Sequence, residues 1–144
     1  MPLQNFGSIL NFAEDLERQD QAFYAAAAAN PNCAAYRVLF SELGADAGRT
    51  IATLQRIRRE NATEMILESV RNFTRDSFCE ACEGAAAMSA TEALETATRL
   101  EARADRYYGE AAEKMNALPE VARALKTLGK HRKAHIARLM NVKR

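Results

Sequence analysis

Two glutamates sit inside apolar helical stripes of this chain, and each is followed seven residues later by a tyrosine: Glu17 with Tyr24, and Glu101 with Tyr108. Leu10, Ala13, Glu17 and Tyr24 are separated by three, four and seven residues, which puts them along one line of a helix. Leu94, Ala97, Glu101 and Tyr108 repeat that spacing. A buried carboxylate is costly unless it is paired, so each glutamate needs a metal, a cation, a hydrogen-bond donor or a proton. Rotating both helices until the glutamates reach water is the alternative, and the matched positions weigh against it.

Other residues with chemistry to offer lie late in the chain. His131 and His135 are four apart and able to face one way, with Arg132 between them. Asp20, Asp46 and Asp105 fall next to inward positions. Cys79 and Cys82 form a CxxC, a spacing used by redox pairs and by half of a zinc or iron site, but equally by small residues in a connecting segment. Cys33 reads as packing. The two tyrosines read most simply as core aromatics whose hydroxyls need buried partners. No Gly-x-Ser-x-Gly or P-loop pattern supports hydrolytic or nucleotide chemistry.

The elements that position these residues are helical. Three prolines and six glycines punctuate a chain rich in alanine. A first helix is predicted from Ser8 to Ala29, ended by Asn30-Pro31, and a second from Asn32 to Arg59. Short loops make such neighbours antiparallel. Between Glu60 and Ala87 the pattern weakens, with Met65 to Phe73 suited to a short helix and Gly84 marking a break. Ser89 and Glu92 form a capping box that opens a third helix reaching Asn116. Pro119, followed by Glu120, opens a fourth that runs to Val142.

The second half also repeats the first. A shift of about 84 positions carries Leu10, Ala13, Leu16, Glu17, Tyr24, Ala27 and Ala28 onto Leu94, Ala97, Leu100, Glu101, Tyr108, Ala111 and Ala112. A shift of about 85 carries Leu43, Gly44, Ile51, Ala52 and Leu54 onto Leu128, Gly129, Ile136, Ala137 and Leu139. The expected fold is all-α: one domain over residues 1–144, two repeated antiparallel helical hairpins joined by a long crossover containing a short helix.

At the stretch from Ala13 to Tyr24 the chain resembles the first helix of rubrerythrin-like proteins, which are ferritin-like diiron four-helix bundles. The resemblance implies one glutamate from each of helices one and three, here Glu17 and Glu101, and a Glu-x-x-His pair from each of helices two and four. On helix two that pair falls on Ala47 and Thr50. On helix four it falls on Arg132 and His135, so the histidine is kept and the glutamate is an arginine. A further carboxylate that the family carries on helix three falls on Ala104. Of the implied iron ligands, Glu17, Glu101 and His135 remain.

Two functional classes follow. In one, Arg132 pairs with Glu17 and Glu101, His135 adds charge, and the protein is a non-catalytic binding or structural module, expected to be a homodimer and without cofactor. In the other, a rotated set of Glu17, Glu101, Asp105, His131 and His135 binds iron, manganese or zinc, as an oxidoreductase or iron-handling protein. The direction of Arg132 separates them: inward favours the first, outward the second.

Composition sets the remaining expectations. A net charge of +1 argues against a general grip on nucleic acid, and the late basic residues suit a solvated helix end. The longest apolar run, Phe23 to Ala29, is too short for a membrane span. The first residues have no secretory pattern, and an odd number of cysteines fits reduced thiols, so a cytoplasmic location is expected. The alanine run from Ala25 to Ala29 permits close helix approach, within the bundle or in a homodimer.

Overall fold

A computed structural model describes residues 6–61 and 84–143. Helix α1 spans Phe6–Ala29, a 3-10 helix spans Pro31–Tyr36, α2 spans Arg37–Glu60, α3 spans Ala90–Lys114 and α4 spans Pro119–Lys143. The first hairpin differs from expectation where the second helix was to begin. Cys33 adopts φ −109° and ψ 19°, so the segment after Pro31 is wound as a 3-10 helix before regular α geometry starts at Arg37. Helix α1 also starts two residues before Ser8, and α3 stops at Lys114 rather than Asn116. The short helix expected near Met65 to Phe73, and the Cys79–Cys82 pair, lie outside the described residues.

Local signals account for the other boundaries. Ser89 caps α3 by accepting from the Glu92 backbone N–H, as the capping box requires. Pro119 occupies the first turn of α4, where a missing N–H costs nothing. Asn30 caps the 3-10 helix through its side-chain oxygen. Its amide also donates to the carbonyls of Ala85 and Met88, at 2.9 and 2.8 Å, tying the first hairpin to the segment that leads into α3. Gly84, at φ 83°, makes the turn there that a side chain would oppose.

Helix directions follow from which ends share a core. One apolar cluster joins the start of α1 (Ile9, Leu10, Phe12) to the end of α2 (Leu54, Ile57), the end of α3 (Tyr107, Ala111, Met115) and the start of α4 (Val121, Leu125). The other joins the end of α1 (Phe23, Ala27) to the start of α2 (Leu39, Phe40), the start of α3 (Leu94, Ala97) and the end of α4 (Leu139). The helices therefore run up, down, down, up, with α1 against α2 and α3 against α4 as the closest pairs. Between the two clusters lies a layer of buried charge. Among the described residues, no helix is long and apolar enough to cross a membrane.

Two glycines set the spacing within the hairpins. A Cβ on Gly44 of α2 would lie 3.2 Å from the Tyr24 Cβ on α1. A Cβ on Gly129 of α4 would lie 3.5 Å from the Tyr108 Cβ on α3. The helices thus approach closely beside the tyrosines that reach the charged layer.

Candidate functional site

Arg132 is the hub of that layer. It projects from α4 into the bundle and is 4% exposed, so its long side chain does not snorkel out. Its Nη1 donates to Glu101 Oε2 at 2.8 Å, and its Nη2 donates to Glu17 Oε2 at 2.6 Å. Nη2 also lies 2.9 Å from Asp20 Oδ2. One guanidinium therefore bridges carboxylates from α1 and α3, using the planar fork that suits arginine to this task. Burial disfavours its charge, but Glu17, Glu101 and Asp20 more than compensate and hold its pKa well above the ordinary arginine value.

The tyrosines cross between hairpins. Tyr24 donates to Glu101 Oε1 at 2.6 Å, and Tyr108 donates to Glu17 Oε2 at 2.5 Å. Each tyrosine serves the glutamate of the other stripe. Burial and these neighbouring carboxylates raise both phenol pKa values well above the ordinary value, so both remain donors.

His135 stands between two carboxylates. Its Nδ1 is 3.2 Å from Glu101 Oε2 and its Nε2 is 2.9 Å from Asp46 Oδ2. In its imidazolium form it donates to both. Burial pushes the Glu101 carboxyl up, but the Arg132 charge, then His135 and the Tyr24 hydroxyl, outweigh it and hold it below the ordinary carboxylate range.

A second buried pair, Asp20 with Arg103, extends the layer. Arg103 is 1% exposed; its Nη2 donates to Asp20 Oδ1 at 2.5 Å and its Nη1 to Gln19 Oε1 at 2.9 Å. Three buried carboxylates, Glu17, Asp20 and Glu101, thus face two guanidiniums. The surplus falls on Asp20: burial pushes its pKa up to about 7, Arg132 and Arg103 pull it down, and Glu17 and Glu101 add to the rise.

Helical spacing places Glu17 and Glu101 inward, the family resemblance adds Arg132 and His135 on α4 with the direction of Arg132 left open, and the structure brings these four together. Asp20 and Asp46, marked in sequence only as neighbours of inward positions, are working members. Arg103 is a residue that sequence reasoning missed. The signal is present, because Arg103 lies three residues after Leu100 and four before Tyr107, on the buried stripe of α3. Asp105 and His131 do not join the cluster. Asp105 is half-buried beside Lys133 at 4.0 Å, and His131 is exposed.

The diiron ligand set that the resemblance implies does not fit these residues. Ala47, buried on α2, and Thr50 offer no ligand equivalent to a carboxylate and an imidazole. Arg132 joins Glu17 to Glu101 where cations would have to lie between them, and arginine repels a cation and cannot ligate one. Among the described residues, no group of three His, Cys, Asp or Glu side chains is arranged to hold a metal ion.

A cavity of about 530 Å³ opens beside the hub, between α2 and α4. Glu17, Tyr108, Arg132 and His135 form its inner end, and Thr50 lines its α2 side. Exposed Arg49, His131 and Arg138 stand at its mouth. Glu17 Oε1 has no hydrogen-bond partner among the described residues. In comparisons with family models, curated proteins and solved structures, the chain matches none of them.

Proposed function

We propose that this protein is a ferritin-like bundle of the rubrerythrin type in which an ion-pair network of Glu17, Glu101, Arg132 and His135 stands in place of the metal centre. It acts as a non-catalytic binding module, in the cytoplasm and as a homodimer. The observation that carries this reading is the guanidinium of Arg132, bonded to both glutamates at 2.6 and 2.8 Å. The up, down, down, up course of the helices supports the ferritin-like assignment, since one long connection must carry the chain from α2 back to the start of α3. The crossed tyrosine bonds and the paired glycines support two related hairpins: Tyr24 and Tyr108, Glu17 and Glu101 exchange under the 84-residue shift.

Such a network adds little net stability over an apolar core, yet it fixes which helix faces meet. The test is Arg132→Glu. That change rebuilds a Glu-x-x-His pair on α4 and removes the fixed charge, so calorimetric titration should show affinity for ferrous iron that the unaltered protein lacks. Equal iron binding by both proteins would sink the proposal.

A further inference from the structure

We infer that the cavity between α2 and α4 binds a small organic phosphomonoester, its phosphoryl group held at the mouth by Arg49 and Arg138 and its uncharged body lying in the cavity. The two arginines come from opposite walls, Arg49 from α2 and Arg138 from α4, and His131 stands beside them. All three are exposed, so a ligand reaches them without displacing a buried group. A carboxylate offers two oxygens in one plane and suits one guanidinium fork. A phosphoryl group carries three terminal oxygens, which forks on two sides can share.

Both arginines can turn to such a ligand at small cost. Arg49 pairs with Asp46 one turn away, and Arg138 pairs with Glu42 of α2. Exposed ion pairs contribute little to stability. Asp46 is not stranded when Arg49 leaves, because its Oδ2 keeps His135 Nε2 at 2.9 Å. Glu42 is itself exposed and stays hydrated.

Charge and access at the inner end define the rest of the ligand. Glu17 does not present its carboxylate to the cavity: Oε2 is covered by Arg132 and Tyr108, and Oε1 is buried. When Asp20 holds its proton, Glu17 and Glu101 are matched by Arg103 and Arg132. Outside that layer Asp46 and Glu42 match Arg49 and Arg138, which leaves His135 over. Both of its ring nitrogens face carboxylate oxygens, which only accept, so the imidazolium satisfies both contacts. One positive charge is in excess, and an anion suits it where a cation would not. Leu128, Ala134 and Thr50 complete the walls, and about 530 Å³ lies within the range usual for small-molecule pockets, which leaves room for a body behind the phosphoryl group.

The site gives a ligand class to the binding module proposed above and rests on that reading, yet the two fail separately. Protein first shown to be metal-free is titrated calorimetrically with phenyl phosphate, glycerol 3-phosphate, inorganic phosphate, benzoate and glycerate. At least one ester should bind saturably, more tightly than inorganic phosphate and than the carboxylate of the matching body. Arg49→Gln and Arg138→Gln should each weaken that binding about tenfold, the scale of losing a hydrogen bond to a charged group. Lys126→Gln removes the same charge from exposed α4 surface outside the cavity and should leave binding unchanged. No saturable ester binding, or inorganic phosphate or the matching carboxylate binding as tightly, would overturn the site while leaving the ion-paired centre standing. So would binding unmoved by either arginine substitution, or weakened equally by Lys126→Gln. Stoichiometric metal in the purified protein would overturn the centre itself.

Discussion

Arg132 shows how one side chain decides what a buried polar layer can do. A guanidinium stays charged at any physiological pH, and its fork satisfies two carboxylates at once. Removing it leaves buried negative charge uncompensated, so Arg132→Met should lower unfolding stability by about 3–5 kcal/mol in urea titrations. A variant as stable as the parent would place the guanidinium outside the bundle. Glu17→Gln retains shape and hydrogen bonding and should cost less, about 1–3 kcal/mol. Asp20 sets the pH dependence. Its folded pKa of about 7 exceeds its ordinary value of 3.8, so the folded protein binds that proton more tightly than the unfolded chain. The stability this gives is complete below pH 3.8 and is lost as pH rises through about 7. Glu101 acts oppositely: its lowered pKa gives stability above its ordinary value of 4.5 that disappears at lower pH. The stability of the parent relative to Asp20→Asn should therefore fall between about pH 4 and 7 and level off above that, by at most about 1.4 kcal/mol per pH unit for one proton. A difference that holds constant across that range would count against a protonated Asp20.

Helix contacts carry the second level of specification, and two glycines make it measurable. In Gly44→Ala the new methyl would press on the Tyr24 Cβ at 3.2 Å, a contact relieved only by moving the helices apart. A net loss of about 1 kcal/mol is expected despite the better helix propensity of alanine. Gly129→Ala meets Asp105 Oδ1 at 3.4 Å and the Tyr108 Cβ at 3.5 Å, ordinary contacts, so the propensity gain of about 0.5–1 kcal/mol should dominate. Opposite shifts in melting temperature would bear this out, and equal shifts would contradict the difference in packing. At this level the sequence was informative to differing degrees. Arg132 and His135 were legible only through the family resemblance, whereas periodicity placed Glu17 and Glu101 inward, because 3.6 residues per turn fixes which positions share a face. It also held the information for Arg103. It did not hold the pairing of His135 with Asp46, which depends on how far two side chains reach between α2 and α4. The 3-10 winding after Pro31 was likewise hidden, since a proline that ends one helix is equally able to open the next.

At the scale of the bundle, two apolar clusters among the described residues are separated by a charged layer at mid-height, and the cavity opens from that layer between α2 and α4. Apolar burial at both ends holds the bundle, so the central layer is free to be polar. Exposed Val38, Met140 and Val142 at the end opposite the α1 start leave apolar surface for a second copy. Light scattering should give twice the 16.0 kDa chain mass, and Val38→Glu should reduce it toward one chain; a monomeric parent would remove the homodimer from the proposal. The most direct measurement of the central claim is metal content by inductively coupled plasma mass spectrometry. The protein is purified without chelators and challenged with Fe(II), Mn(II) and Zn(II). An ion-paired centre predicts no stoichiometric metal under any challenge. Metal retained at one or two equivalents, and lost in Glu101→Ala, would contradict it.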